Sequence, residues 1–385
     1  MLFKLLLIPF LLFNFKVYGI PELNNDDACL CSQNTIDILC NETTLINWNG
    51  TYCDNFKCTY NLSPPANCPT THYKLTIFAA LRPSIDYLIF KNNGNIIQKF
   101  ISGSKTITNF FYSAANNYTI EFQSGASAIP PKPTDDFFWA VTVNPMTSPN
   151  FNSVNLNNIN SRHAVWLPDM IKNDALIVCN NVSTKTTLKM FSTYTRFGDL
   201  LNFAIYDSQN LDNFIQNLED AENLPSLPNV RSKESASKCF TIYASEDFNP
   251  IRSGNTVLFM AVDNENDKNC QEKDNVFQMV ADGSQDFNVS LESADKVSCE
   301  MILLATTSAG TELPHIWIRD FPAASNDGVF NFKSILNNNT LLDLRGSQIS
   351  LWKYLGFYTS ALSIVASQSS KLLIHFSADD QCKIF

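Results

Sequence analysis

The chain has 385 residues, of which 45% are hydrophobic, 12% aromatic and 17% charged. That composition excludes a disordered chain, and the length exceeds one ordinary small domain. With 27 basic against 37 acidic side chains, a net charge of -10 and no basic block, it offers neither nucleic acid nor an acidic membrane a cationic surface.

Residues 1–19 read as a secretory signal. Lys4 supplies the early positive charge, 5–13 is an apolar run broken only by Pro9, and Val17-Tyr18-Gly19 ends in small residues before the expected cut after Gly19. The apolar run is too short to span a bilayer comfortably, and Asn14 and Lys16 follow it at once. No other stretch approaches the length of a membrane span, and residues 378–385 lack the hydrophobic tail of a lipid-anchor signal. Losing Lys4 and Lys16 with the signal takes the net charge from -10 to -12. The expected location is extracellular.

Cysteine and asparagine spacing agree with that location. All 11 cysteines lie after residue 19, and Cys29, Cys31, Cys40, Cys53, Cys58 and Cys68 crowd the first fifty residues of the mature chain. No two have the spacing of a zinc knuckle and the only nearby histidine is His72, so disulfides are the stronger reading. The odd total leaves one free thiol or an intermolecular bridge. Seven N-glycosylation sequons begin at Asn41, Asn49, Asn61, Asn117, Asn181, Asn288 and Asn338, in a chain with 44 asparagines. Those that are used must lie on the surface, because a hydrated glycan cannot enter a core.

After this leader the pattern is short period-2 runs between Asn, Ser, Gly and Pro turns. Strands are expected at 73–79, where Tyr73, Leu75 and Ile77 share a face, then at 87–90 and 96–101 around the turn Asn92-Asn93-Gly94-Asn95. Further strands at 117–122 and 137–143 bracket a proline-rich loop. Residues 144–160 read as a linker. Strands follow at 175–179, 186–191 and 200–206, and a helix starting at Ser208, with Leu211, Phe214, Ile215 and Leu218 at helical spacing, stops at Pro225. Strands at 239–244 and 256–262 close this stretch, 263–274 is a charged linker, and 300–305, 315–318, 362–366 and 371–376 are strands again. Dense β-branched and aromatic residues in such runs predict an all-β chain of antiparallel sandwiches with one or two short helices at most.

Three segments share an order of strands. The middle one contains Asp199-Leu200-Leu201-Asn202-Phe203-Ala204-Ile205-Tyr206-Asp207 and Phe240-Thr241-Ile242-Tyr243-Ala244-Ser245-Glu246-Asp247. The first offers Asp86-Tyr87-Leu88-Ile89-Phe90, Tyr118-Thr119-Ile120-Glu121-Phe122-Gln123-Ser124 and Phe138-Trp139-Ala140-Val141, and the third Ile316-Trp317-Ile318-Arg319-Asp320 and 373–379. These strings resemble the CUB domain. With the signal, the sequons and Cys58-Thr59-Tyr60-Asn61-Leu62-Ser63-Pro64, the whole resembles the nematode secreted CUB-like proteins over about two thirds of the mature chain. The resemblance implies tandem jelly-roll-like domains: a Cys-rich leader and domain start at 20–68, then CUB-like domains at 69–148, 160–263 and 270–385. The third departs most, because it stops just after the string at 373–379 without a final aromatic strand.

The resemblance also implies calcium bound by turn carboxylates, a chemistry suited to a hard cation. Asp199, Glu246 and Asp247 occupy matching positions in the middle segment. Asp86 does so in the first, where Ser124-Gly125 replaces the second carboxylate and leaves an impaired site. It further implies a bridge from Cys270 to Cys299, and in the first segment it gives Cys58 the position of Cys299, with Cys31 the favoured partner among several candidates. The competing arrangement joins Cys299 to Cys382 and Cys270 to Cys239.

Catalysis has little support. There is no Gly-x-Ser-x-Gly elbow and no His-Glu-x-x-His pair, and His72, His163, His315 and His375 are scattered singly. Tyr87, Trp139 and Trp317 are candidates for a sugar or peptide platform, although aromatics in sandwich strands are mostly core. The expected function is therefore non-enzymatic recognition of an extracellular protein or glycan with no required cofactor, and the resemblance adds a role in epithelial stress or pathogen response. The alternative is a secreted hydrolase, or a carbohydrate or lipid carrier, with an unrecognised site.

Overall fold

In the computed structural model the described residues are 16–19 and, with breaks, 35–379; the longest breaks are 127–137, 193–202, 216–229, 246–253, 264–274 and 281–286. They are almost entirely β, with one 3-10 turn at Leu167–Asp169 and one helical turn at Gly346–Ile349.

The first ten strands are β1 (Lys16–Gly19), β2 (Thr35–Asp37), β3 (Thr44–Asn49), β4 (Lys57–Ser63), β5 (His72–Ala80), β6 (Tyr87–Asn92), β7 (Asn95–Phe100), β8 (Thr106–Ser113), β9 (Tyr118–Gln123) and β10 (Phe138–Met146). The next eight are β11 (Asn150–Leu156), β12 (Arg162–Trp166), β13 (Asp174–Asn180), β14 (Thr186–Ser192), β15 (Phe203–Tyr206), β16 (Arg231–Glu234), β17 (Cys239–Ala244) and β18 (Thr256–Asp263). The last nine are β19 (Val276–Val280), β20 (Phe287–Glu292), β21 (Cys299–Thr306), β22 (His315–Ala324), β23 (Val329–Ser334), β24 (Asn339–Arg345), β25 (Leu355–Tyr358), β26 (Ala361–Ala366) and β27 (Lys371–Asp379).

They form six sheets that repeat one order three times. The middle set gives β11-β13-β17-β15 and β12-β18-β14-β16. The first gives β2-β4-β9-β6-β7 and β1-β3-β10-β5-β8; the last gives β19-β21-β26-β23-β24 and β20-β27-β22-β25. Numbered within each set, the order is first–third–seventh–fifth in one sheet and second–eighth–fourth–sixth in the other. β7 and β24 are the same addition, a hairpin partner after the fifth strand, and β1 is an extra edge. In every set the first and third strands run parallel, and among the pairs described within these orders the others run antiparallel, apart from the added β1, which is parallel to β3.

Side-chain alternation explains why the sheets pair. Tyr73, Leu75, Ile77 and Ala79 of β5 point inward with Trp139, Val141 and Val143 of β10, against Cys58, Tyr60, Leu62, Ile120 and Phe122 from the other sheet. Trp139 is fully buried, edge-on to Tyr60 at 5.7 Å. The hairpin β6–β7 turns on Asn93 (φ 48°) and Gly94 (φ 82°), the left-handed pair that a two-residue turn needs.

The continuous apolar runs in β18 and β21 have a different cause. Val257, Phe259 and Ala261 face the core of the middle set, and Leu258 faces the other way. Met301, Leu303 and Ala305 face the core of the last set, while Ile302 and Leu304 join Leu258, Phe191, Ala164, Val276, Ile335 and Ala361 in a separate cluster. A strand buried on both faces cannot alternate. The chain accordingly divides into two compact units, Met1–Ser148 with Leu211–Phe214, and Pro149–Asn210 with Ile215–Phe385. The second unit holds both the middle and last sets.

Several expectations are corrected. The helix from Ser208 does not form over the described residues: 208–211 are bends, and Ile215 N–H donates to Ile205 O at 2.8 Å instead of back along a helix. Ser208 Oγ accepts from Asn210 N–H (3.2 Å), a local turn that competes with helix propagation. The linker expected at 144–160 contains β11, a polar, mostly exposed edge strand parallel to β13. In the last set the fifth strand is β23, preceded by Asp327, and residues 316–320 lie on the fourth, β22. Residues 373–379 belong to the final strand itself, so the set does not stop short.

Candidate functional site

Two places combine polar chemistry with accessibility or burial that calls for explanation. The first is the turn before β6. Asp86 is completely buried and Arg82 nearly so (0% and 4% exposed). Arg82 Nε donates to Asp86 Oδ2 and Nη2 to Asp86 Oδ1, each at 2.9 Å. Nη1 donates to Asp54 Oδ1 at 2.7 Å, and Nη2 also reaches Gly125 O at 3.2 Å. Ser124 Oγ accepts from Phe56 N–H (2.8 Å), so its hydroxyl is committed to the backbone. Sequence reasoning found Asp86 and Ser124-Gly125 but missed Arg82 and Asp54; the i, i+4 spacing of Arg82 and Asp86 was the available signal. The oxygens that a calcium ion would need are turned onto a guanidinium, so these residues do not fit the ion. Among the described residues no group of three or more metal-ligating side chains occurs. Asp199, Glu246 and Asp247 lie outside the described residues.

The second place is a groove of about 260 Å³ in the second unit. Its polar lining includes His163, Asp169 and Asp174, and its apolar lining includes Trp166, Met170 and Leu336. β12 and the 3-10 turn that follows it bring the first of these together, and β13 supplies Asp174. Burial holds the His163 imidazole below its ordinary pKa of 6.5, and desolvation raises the Asp169 carboxyl above its ordinary value. Asp174 Oδ2 accepts from Ile171 N–H at 3.3 Å and thus closes its own turn. Leu336 comes from the last set, held beside the middle one by the Arg162–Glu300 ion pair and by Thr256 Oγ1 donating to Ser360 Oγ at 2.6 Å. Burial pushes Arg162 down to about 10. Only the lone His163 was named from sequence; its neighbours carry no motif.

The platform aromatics differ in exposure. Trp139 is core, Tyr87 is half-buried beneath Lys99 Nζ at 3.8 Å from its ring, and Trp317 is half-buried with His315 stacked at 5.9 Å. Trp139, being core, cannot line a surface platform.

Disulfides join Cys40 to Cys68 and Cys179 to Cys239. The second removes Cys239 from any bridge to Cys270, which corrects that competing arrangement. Cys58 and Cys299 are both disulfide-bonded, and each stands at the head of the third strand of its set. Cys31, Cys270 and Cys382 lie outside the described residues. Asn61, Asn117, Asn181 and Asn338 are exposed; Asn41 lies outside the described residues, while Asn49 is in β3 and Asn288 in β20.

No protein family matches the sequence, and no curated protein matches it. Solved structures to which it is similar include the CUB1-EGF-CUB2 domain of human MASP-1/3, at 9% identity and TM-score 0.20, covering 57% of this chain and 99% of that one. The CUB1-EGF-CUB2 domains of rat MASP-1 match at 11% identity and TM-score 0.21, covering 59% and 100%. The Sulfolobus Turreted Icosahedral Virus structure matches at 11% identity and TM-score 0.19, covering 83% and 82%. Among the described residues no helix is long and apolar enough to cross a membrane.

Proposed function

We propose that this is a secreted, N-glycosylated interaction protein of three CUB-like sandwiches, which binds an extracellular protein or glycan without catalysis. The observation that carries the reading is the eight-strand order repeated three times, with a half-cystine on the third strand of each set: Cys58, Cys179 and Cys299. Small sandwiches stapled by disulfides suit an oxidising compartment and carry recognition on loops and clefts. Exposure of all four sequon asparagines whose side chains are described is what glycans require. In this reading β1 leaves with the signal, and the mature chain begins at Ile20. The groove beside His163 is the recognition site we favour, since Asp174 already serves its turn. A role in epithelial defence belongs to the same proposal and rests on resemblance.

The test is secretion from a eukaryotic host. The product should start at Ile20, lose several glycan units of mass on enzymatic deglycosylation, and retain a ligand from extracellular fluid that crosslinks to the groove. Turnover of glycoside, ester or peptide substrates that is lost in Asp169→Asn would establish the hydrolase instead.

A further inference from the structure

The turn before β6 is the place where the family resemblance aligns Asp86 with a calcium-binding carboxylate and Ser124-Gly125 leaves the site impaired, and the side chains there show what takes the ion's place. We infer that Arg82 is the built-in cation of this turn, so that the loop end of the first sheet pair keeps its shape without a metal ion.

Hard cations bind by collecting several carboxylate and carbonyl oxygens around one point. The same collection exists here around a guanidinium. Asp54 comes from the segment before β4, Asp86 from the turn before β6, and Gly125 O from the segment after β9; all three accept from Arg82 at 2.7–3.2 Å. The planar fork meets both oxygens of Asp86, a pairing for which arginine is pre-shaped and lysine is not. The backbone fixes the fork in place. Ile85 and Asp86 N–H groups donate to Arg82 O at 3.3 Å, and Arg82 N–H donates to Asp86 Oδ2 at 3.1 Å. Gly125 N–H adds a longer contact to Asp86 Oδ1 at 3.4 Å, while Ser124 N–H ties the β9 end to Phe56 O at 2.8 Å.

An ion entering this turn would have to displace a buried, multiply bonded arginine. It would also add positive charge beside one already present. The guanidinium stays charged at every physiological pH and cannot dissociate from the chain. The order of this turn is therefore independent of free calcium and of chelators, unlike a loop that is organised by a bound ion.

The test is hydrogen–deuterium exchange on the full-length glycoprotein, read in peptides covering residues 54–60, 84–92 and 118–126, with calcium or with chelator. Local readout separates this turn from any calcium effect in the middle set. The wild type should exchange identically in both conditions. Arg82→Met should speed exchange in all three peptides by about tenfold or more, because buried Asp86 loses its counter-charge. Arg82→Met combined with Asp86→Asn should recover part of the protection, since no buried charge is stranded. If Arg82→Met is not secreted, Arg82→Lys replaces it and should give a smaller acceleration in the same peptides. Calcium-dependent protection in the wild type would overturn the inference. So would an arginine variant that is as protected as the wild type.

Discussion

Cys179 and Cys239 stand directly opposite one another in the antiparallel pair β13–β17 and are joined by a disulfide, with their Cα atoms 4.2 Å apart. That close approach belongs to the narrow, non-hydrogen-bonded sites of an antiparallel ladder. The bridge closes a sequence separation of 60 residues around β14, β15 and β16. Replacing both residues with alanine should destabilise the second unit by ~4 kcal/mol on the chain-entropy account. Chemical denaturation of the double variant against the parent measures it; an unchanged midpoint would show that the bridge contributes nothing to stability.

Acid should unfold the protein partly through two buried carboxylates. For Asp207, burial raises the pKa, but hydrogen bonds from Ser235, Ala236 N–H and Ser237 outweigh it and hold the group below its ordinary 3.8. For Glu121 burial also raises it, and Lys91 and Lys57 more than compensate, holding it below 4.5. Both are depressed in the folded state, so their contribution is complete above the ordinary values and is lost as pH falls through the folded ones. Stability should therefore drop below about pH 4.5. In Asp207→Asn and Glu121→Gln the acid limb of a stability–pH curve should be flatter than in the parent, and parallel curves would disprove the assignment.

Legibility followed the physics of each element. β5 was readable because one face is core and the other is not, so Tyr73, Leu75 and Ile77 alternate; the β6–β7 turn was readable because Asn93 and Gly94 tolerate positive φ. The sequence of β11 reads as linker because an exposed edge strand leaves no apolar trace. The strings at 316–320 and 373–379 point to the wrong strands, since apolar β runs look alike until partners are known. The groove was invisible for a related reason: His163, Asp174 and Leu336 are brought together by sheet stacking in the second unit. Arg82 leaves little trace in the sequence, because a salt-bridged arginine has no signature beyond its spacing to Asp86.

Gly254 tests that stacking. A Cβ placed there would meet the Trp166 ring at 2.5 Å and Thr307 Oγ1 at 2.6 Å. Its N–H donates to Thr307 Oγ1 at 2.9 Å, and Thr307 N–H returns a bond to Gly254 O at 3.0 Å. Neither neighbour is a loose side-chain end, because Trp166 is core and Thr307 is buried. Gly254→Ala should cost about 1–3 kcal/mol and loosen the groove wall that Trp166 forms. Thermal unfolding together with limited proteolysis reads both effects, and a variant equal to the parent in each would mean the site relaxes freely.

In the last set the bridge involves Cys299. It opens β21, is fully buried and is disulfide-bonded, and Cys58 holds the equivalent place at the head of β4. Cys239 is taken by Cys179 and so is not available to Cys270. We expect Cys299 to bond Cys270, with 28 residues between them in the sequence, and Cys58 to bond Cys31. The rival is Cys382, which follows β27. β27 does not pair with β21: the two lie in different sheets, β21 beside β19 and β26, and β27 beside β20 and β22. A bridge to Cys270 instead ties the strand to the chain just before β19, which already runs parallel to β21. Closing a loop of that length should add roughly 3–4 kcal/mol if the geometry is relaxed. Peptide mapping under non-reducing conditions decides it. A peptide linking Cys299 to Cys382 would refute the pairing and with it the equivalence of Cys299 and Cys58.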